Sequence, residues 1–209
     1  SILSGSLPPF LNFDSSGLIS GDLASNAAAN SPYNLTIQVT DGQQTAQASL
    51  SITIYEKLQI TTATLPDAYD GQTGYSATLT ATGGTGSCTW SVVSGSLPPN
   101  LALDPSTGLI SGDITSSASS NSPYNFTIEV TDGQQTAQAA LSISVYAQLQ
   151  ITTTALPKGE VGAAYPATQL AADGGKTPYT WADVNNTLQS YGLTLDPSTG
   201  EITGTPTQT

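Results

Sequence analysis

Across 209 residues the chain carries 3 Lys+Arg against 15 Asp+Glu, a net charge of -12, with one Cys, no His and no Met. A polyanion this poor in cations releases too few counterions to bind nucleic acid and is repelled by an anionic membrane surface. Without His or a second Cys there is no imidazole base, no histidine or thiolate metal site and no internal disulfide, so no catalytic, metal or cofactor residue is expected.

Only 9% of residues are charged, well below the roughly 25% of ordinary soluble domains. Thr, Ser, Gln and Asn supply the polarity, as on β-rich proteins whose solvent faces carry hydroxyls and amides. No run of about twenty apolar residues marks a membrane span. No signal-type apolar stretch opens the chain, so any export signal or anchor is expected outside it.

Along the chain, residues 1–57 read as the back half of one repeat unit. Tyr33 follows Ser31-Pro32 at the start of a strand, and VTDGQQTAQA runs from Val39 through Ala48. Residues 58–147 read as a complete unit opening at Leu58-Gln59-Ile60-Thr61-Thr62. Within it Tyr75, Ala77, Leu79 and Ala81 alternate with polar neighbours, and Cys88, Trp90 and Val92 form another inward row after Gly83-Gly84. This period of two predicts half-buried strands. Asp104-Pro105-Ser106-Thr107-Gly108 is a turn with Pro preset and Gly free to take positive φ. Tyr124, Phe126, Ile128 and Val130 then alternate with polar residues, Asp132-Gly133 turns the chain, and Ala137, Ala139, Leu141, Ile143 and Val145 make the inward row of a return strand.

The same sequences recur at a period of about 91 residues. VTDGQQTAQA returns unchanged from Val130 through Ala139, Leu58-Gln59-Ile60-Thr61-Thr62 returns from Leu149, Trp90 matches Trp181, and Leu103-Asp104-Pro105-Ser106-Thr107-Gly108 matches Leu195 through Gly200. Residues 148–209 thus read as a front half, and front plus back are expected to make one unit. Half a sandwich cannot bury its apolar face alone, so each half is expected to need a complement. No segment has useful helical periodicity.

Six or seven short strands in about 90 residues, with Trp on a middle strand, predict an all-β fold of tandem immunoglobulin-like β-sandwich domains in a rod. The stretch from Gly95-Ser96-Leu97-Pro98-Pro99 through Leu109-Ile110-Ser111-Gly112, followed by Pro123 through Asp132, resembles the He_PIG Ig-like and dystroglycan-type cadherin-like repeats of large prokaryotic surface proteins. The resemblance spans the chain and implies a scaffold found in adhesins, stalks and enzyme appendages; the fold alone names no function.

Individual residues read mainly as structural. Trp90, Trp181, Tyr33 and Tyr124 are assigned to the core, the tyrosines as corners that tie their hydroxyls to nearby backbone. Tyr55 and Tyr146, one residue beyond their inward rows, are candidates for packing between units. Cys88, whose counterpart is Tyr179, reads as a small hydrophobe. Asp113, Asp132 and Asp104 recur as Asp22, Asp41 and Asp14 and read as turn formers rather than calcium ligands, since the junctions lack clustered acids. The sequons at Asn34, Asn125 and Asn185 are weak signals, and Lys57, Lys158 and Lys176 occupy non-equivalent places, which argues against isopeptide links.

The expected role is that of an extracellular or cell-surface structural protein, a stiff filament or stalk of tandem units, either self-associating head-to-tail by complementation of half-units or cut as a window from a longer continuous chain. The alternative is an adhesin module that binds glycan or protein through loops at one sandwich end. No enzyme, nucleic-acid or membrane-insertion role is expected of this segment.

Overall fold

A computed structural model describes residues 1–208. Its middle segment contains ten strands: β6 (Gln59–Ile60), β7 (Ala68–Tyr69), β8 (Tyr75–Thr78), β9 (Ala81–Thr82), β10 (Thr89–Gly95), β11 (Leu101–Leu103), β12 (Leu109–Gly112), β13 (Tyr124–Thr131), β14 (Thr136–Ile143) and β15 (Val145–Tyr146). Strands β10-β13-β14 form one sheet and β11-β12-β8 another, with β6 pairing β9 and β15 pairing β7 in parallel.

Alternation decides which face is buried. Tyr124, Phe126, Ile128 and Val130 of β13 point inward and are buried, while Asn125 between them is exposed. The register runs from Tyr124 opposite Ile143 to Thr131 opposite Thr136; a one-residue slip would turn the whole apolar row to solvent. Leu58, Tyr75, Leu79, Trp90, Ile110 and Ile143 join this row in a single core. Complete burial of each aliphatic side chain contributes about 1.5–3 kcal/mol before entropy is subtracted. The turn at Asp104 carries Gly108 at φ +71°, where a Cβ would stand 2.9 Å from Trp90 Nε1. Only glycine meets both demands there, and the backbone N–H of Trp90 donates to Pro105 O at 2.8 Å beside it.

The first segment has β1 (Ile2–Gly5), β2 (Leu11–Phe13), β3 (Ile19–Gly21), β4 (Tyr33–Thr40) and β5 (Thr45–Ile52). They make a three-stranded sheet β1-β4-β5 and a hairpin β2-β3. The last segment has β16 (Gln150–Ile151), β17 (Thr168–Gln169), β18 (Ala172–Asp173), β19 (Leu193–Leu195) and β20 (Glu201–Gly204), paired as β16-β18 and β17-β20-β19. Two 3-10 turns, Ala27–Asn30 and Ala118–Asn121, and one helical turn, α1 (Thr187–Ser190), complete the elements. None is long enough to leave a helical period in the sequence.

The flanking segments overlap in one element. By repeat position, β2-β3 and β19-β20 are both counterparts of β11-β12. The residues leading into that hairpin are duplicated too, Ile2–Phe10 and 183–192 both answering to Val92–Asn100, so together the segments exceed one unit by more than a hairpin. What the first segment lacks is the equivalent of Leu58 through Trp90, and what the last lacks is the equivalent of β13 and β14.

Candidate functional site: open faces and a junction

The identical decapeptide has two environments. Val130 is completely buried and its counterpart Val39 is 68% exposed; Leu141 is 7% exposed and Leu50 48%. Every residue of β5 up to Ser51 is exposed, whereas β14 alternates and buries Leu141 and Ile143. Scattered surface apolar residues are ordinary, but a whole strand face is a surface suited to a partner. The last segment is open in the opposite sense: Leu149 and Ile151 are exposed where Leu58 is buried, and Trp181 is only partly buried although its N–H donates to Pro197 O at 2.8 Å as Trp90 does to Pro105.

In the middle segment a polar seam joins front to back. Asp132 Oδ1 accepts from the N–H groups of Gln134 and Gln135 at 2.9 and 2.6 Å, closing its own turn, and Oδ2 reaches across to accept from Thr85 N–H at 2.6 Å. These backbone bonds, led by those of Gln135 and Gln134, hold the Asp132 carboxyl down at about 2. The side chain of Gln135 bridges the junction, its Oε1 accepting from Leu58 N–H at 2.9 Å and its Nε2 donating to Glu56 O at 3.2 Å. Asp113 accepts from Gly74 N–H at 2.8 Å, and Asp70 accepts from both the N–H and the hydroxyl of Ser119.

Other carboxylates serve their own turns. Asp14, Asp104 and Asp196 each accept from the N–H and hydroxyl of the Ser two residues on. Those bonds lower all three, Asp196 to about 2. Among the described residues no three acidic or Cys side chains converge on a common point.

The connections between segments are short and pinned. Gly84 N–H donates to Glu56 O at 2.9 Å, and Gly175 N–H to Ala147 O at 2.7 Å. At the second junction Gln148 Nε2 also donates to Asp70 O at 3.1 Å. The Tyr146 ring lies 6.2 Å from that of Tyr69, and Lys176 Nζ stands 5.9 Å from the Tyr146 ring centre and 2.6 Å from Asp67 Oδ2. The hydrogen bond to Asp67, then its charge, raises the Lys176 pKa. Tyr55 is half exposed. Sequence reasoning missed the Asp67–Lys176 pair. Its one available signal was that Lys176 replaces Thr85 in an otherwise close repeat.

Tyr33 and Tyr124 are buried, and each hydroxyl donates at 2.8 Å to the backbone oxygen six residues upstream, Ala27 and Ala118. Tyr75 and Tyr165 donate likewise to Pro66 O and Pro157 O. Burial, then the charge of Asp67, pushes the Tyr75 hydroxyl up to about 12. Cys88 is partly buried with Sγ 3.5 Å from Gly86 O, and its counterpart Tyr179 donates to Gly174 O. Among the described residues no helix is long and apolar enough to cross a membrane.

Sheets of this kind, repeated along one chain, define a tandem immunoglobulin-like β-sandwich protein. Residues 2–55 and 57–152 match the family described as He_PIG, Putative Ig domain, and the chain belongs to that family. Among solved structures it is similar to the protocadherin GammaB4 extracellular domain (15% identity, TM-score 0.42, 99% of this chain and 39% of that one). It is also similar to domains 3–5 of Drosophila OTK (18%, TM-score 0.49, 96% and 69%) and to mouse cadherin-23 EC22–24 (14%, TM-score 0.43, 100% and 75%). The chain spans 39% of the protocadherin's length. No curated protein matches it in sequence.

Proposed function

We propose that this chain is a length of extracellular structural filament or stalk, made of tandem Ig-like units and completed head-to-tail. Residues 58–147 are the whole unit, 1–57 a back half and 148–209 a front half. The observation that carries this reading is that one decapeptide has its first residue, Val130, buried in the middle segment and the same residue, Val39, exposed in the first. The covering residues of the middle unit, Leu58, Tyr75 and Trp90, are repeated as Leu149, Tyr165 and Trp181 at the other side of the same chain. A front half on one copy and a back half on the next form a heterologous contact, which propagates rather than closes.

Two further features support a load-bearing rod. Short connections, residues 53–58 and 147–149, pinned by Gly84 and Gly175, couple neighbours more stiffly than a Gly/Ser tether. Neutral polar faces with three Lys and no Arg resist salt and trypsin, which suits service outside a cell.

Negative-stain electron microscopy of the purified chain tests the reading. A thin beaded fibre with an axial repeat of one or two domains is expected; separate compact particles at every concentration contradict it. Saturable binding on a glycan array, lost on changing loop residues, would place the chain among adhesin modules instead.

A further inference from the structure

We propose that Asn125 and Asn34 carry N-linked glycans, displayed on the outward faces of β13 and β4. Each opens an N-x-T triplet, Asn125-Phe126-Thr127 and Asn34-Leu35-Thr36. Such a triplet is a weak signal in a Thr-rich chain until the fold shows where its members stand.

Alternation places them. Phe126 and Leu35 are each 3% exposed, so the Asn and Thr on either side of them turn together to the opposite face, and both asparagines are exposed. β13 and β4 are the central strands of their sheets, β10-β13-β14 and β1-β4-β5. Asn is depleted from strands because its amide competes with the ladder for backbone groups and packs poorly on a pleated face. Thr or Val would suit these positions better. No local bond compensates at Asn125, whose Nδ2 stands 3.5 Å from Pro123 O, at the outer limit of a hydrogen bond. An unfavourable residue set twice in mid-sheet, with no structural gain, marks a position held for function.

The surroundings leave room for a sugar. Across the ladders each Asn faces a small serine, Ser142 opposite Asn125 and Ser51 opposite Asn34, while Ser94 and Ser4 stand opposite Thr127 and Thr36. With Ala140 and Ser49 these residues line an open groove of about 500 Å³ beside Asn125 and one of about 280 Å³ beside Asn34. Hydroxyls and methyl groups side by side suit a sugar ring, whose hydroxyls hydrogen-bond while its C–H face packs. A glycan on Asn34 stands on the side of β4 away from Leu35 and leaves the inward face clear.

The acceptor is the chain while still extended, and the donor is an oligosaccharide joined through C1 to a lipid diphosphate. Nδ2 forms a bond to C1 as the bond from C1 to the diphosphate oxygen breaks. The lipid diphosphate leaves with the bonding electrons, and one Nδ2 proton passes to water. Folding then carries the modified Asn to the surface of its sheet.

The test uses the full chain secreted by its native host. Cleavage on the amino side of aspartate places Asn34 in the peptide 22–40 and Asn125 in 113–131, and mass spectrometric sequencing locates any added mass. Both peptides are expected to carry an oligosaccharide on that asparagine. Thr127→Val, which suits a strand as well as Thr does, is expected to strip the sugar from 113–131 and leave it on 22–40, whereas Thr127→Ser keeps both. Asn125→Gln is expected to match Thr127→Val. Unmodified peptides from the native chain, sugar on Ser or Thr instead, or a mass on Asn125 that survives Thr127→Val would overturn the assignment. Glycosylation requires export, as the extracellular reading has it, and does not require copies to associate, so the peptide masses and the electron micrographs can fail independently.

Discussion

Val39 and Val130 stand at the same place in two copies of one decapeptide, on strands paired in the same register, yet Val130 is completely buried and Val39 is 68% exposed. Backbone conformation, neighbours in sequence and turn chemistry are shared. The difference lies in what covers them. Leu58, Tyr75, Leu79 and Trp90 lie in the same core as Val130, and the first segment has no equivalent of any of these four.

Substitutions in paired positions should separate burial from local structure. Leu141→Ala removes a core side chain and is expected to cost about 2–4 kcal/mol. Leu50→Ala changes an exposed side chain and is expected to cost under about 0.5 kcal/mol in dilute solution. Denaturant melts of the two variants, compared at a concentration where the chain is monomeric, check the contrast. Equal losses would show that β4 and β5 are covered after all.

Tyrosine corners should behave the other way, because their bonds are local to each segment. Tyr33→Phe and Tyr124→Phe each leave a buried carbonyl, Ala27 O or Ala118 O, without its donor. Each is expected to destabilise its own segment by about 1–2 kcal/mol. Hydrogen exchange of the neighbouring strands, β4 and β13, reads the two losses separately.

Acid should weaken the fold in a defined window. The carboxyls of Asp132 and Asp196 fall from an ordinary 3.8 to about 2 because backbone and hydroxyl donors hold the charged form. A depressed folded pKa contributes stability that is complete above the unfolded value and is lost as pH falls through the folded one. Melting temperature is therefore expected to be level for these groups above about pH 5 and to decline between about pH 4 and 2. Asp132→Asn should flatten part of that decline. For Tyr75, raised to about 12, the sign reverses: its contribution is full below pH 10 and lost as pH climbs toward 12.

At the second junction Lys176 and Asp67 are 58% and 31% exposed, so their pair should add little to stability, within the roughly 0–1 kcal/mol of surface ion pairs. Its expected effect is on orientation. Lys176→Ala should leave the melting temperature nearly unchanged while widening the spread of inter-segment distances seen by small-angle scattering, and about 0.5 M salt should widen the wild type similarly. An unchanged distance distribution in both would mean that Gln148 and the short connection fix the angle alone.

The strands, the repeat and the inward rows were legible in the sequence because each rests on a local rule: alternation at Tyr124 to Val130, turn residues at Asp104 to Gly108, and identity between Val39–Ala48 and Val130–Ala139. Trp181 could be matched to Trp90 by the repeat, but it lies on no strand and is only partly buried, and neither fact could be read locally because both depend on which segment lies over it. The seam was illegible for a similar reason. Asp132 read as a turn residue with Gly133, and nothing near it in the chain indicates that its Oδ2 and the Gln135 amide reach Thr85 and Leu58. The duplication of β2-β3 as β19-β20 was legible, by contrast, since Leu18–Gly21 and Leu195–Gly200 both align with the stretch from Leu103 to Gly112.

The most direct measurement follows the indole N–H signals of the two tryptophans by NMR as the chain is concentrated from the monomeric range. Trp90 is already enclosed in the middle segment, whereas Trp181 is only partly covered. If a second copy completes the last segment, the Trp181 signal shifts and its hydrogen exchange slows with rising concentration while Trp90 stays where it was. If both signals keep their positions and exchange rates up to the solubility limit, no copy covers the open face and the filament is ruled out.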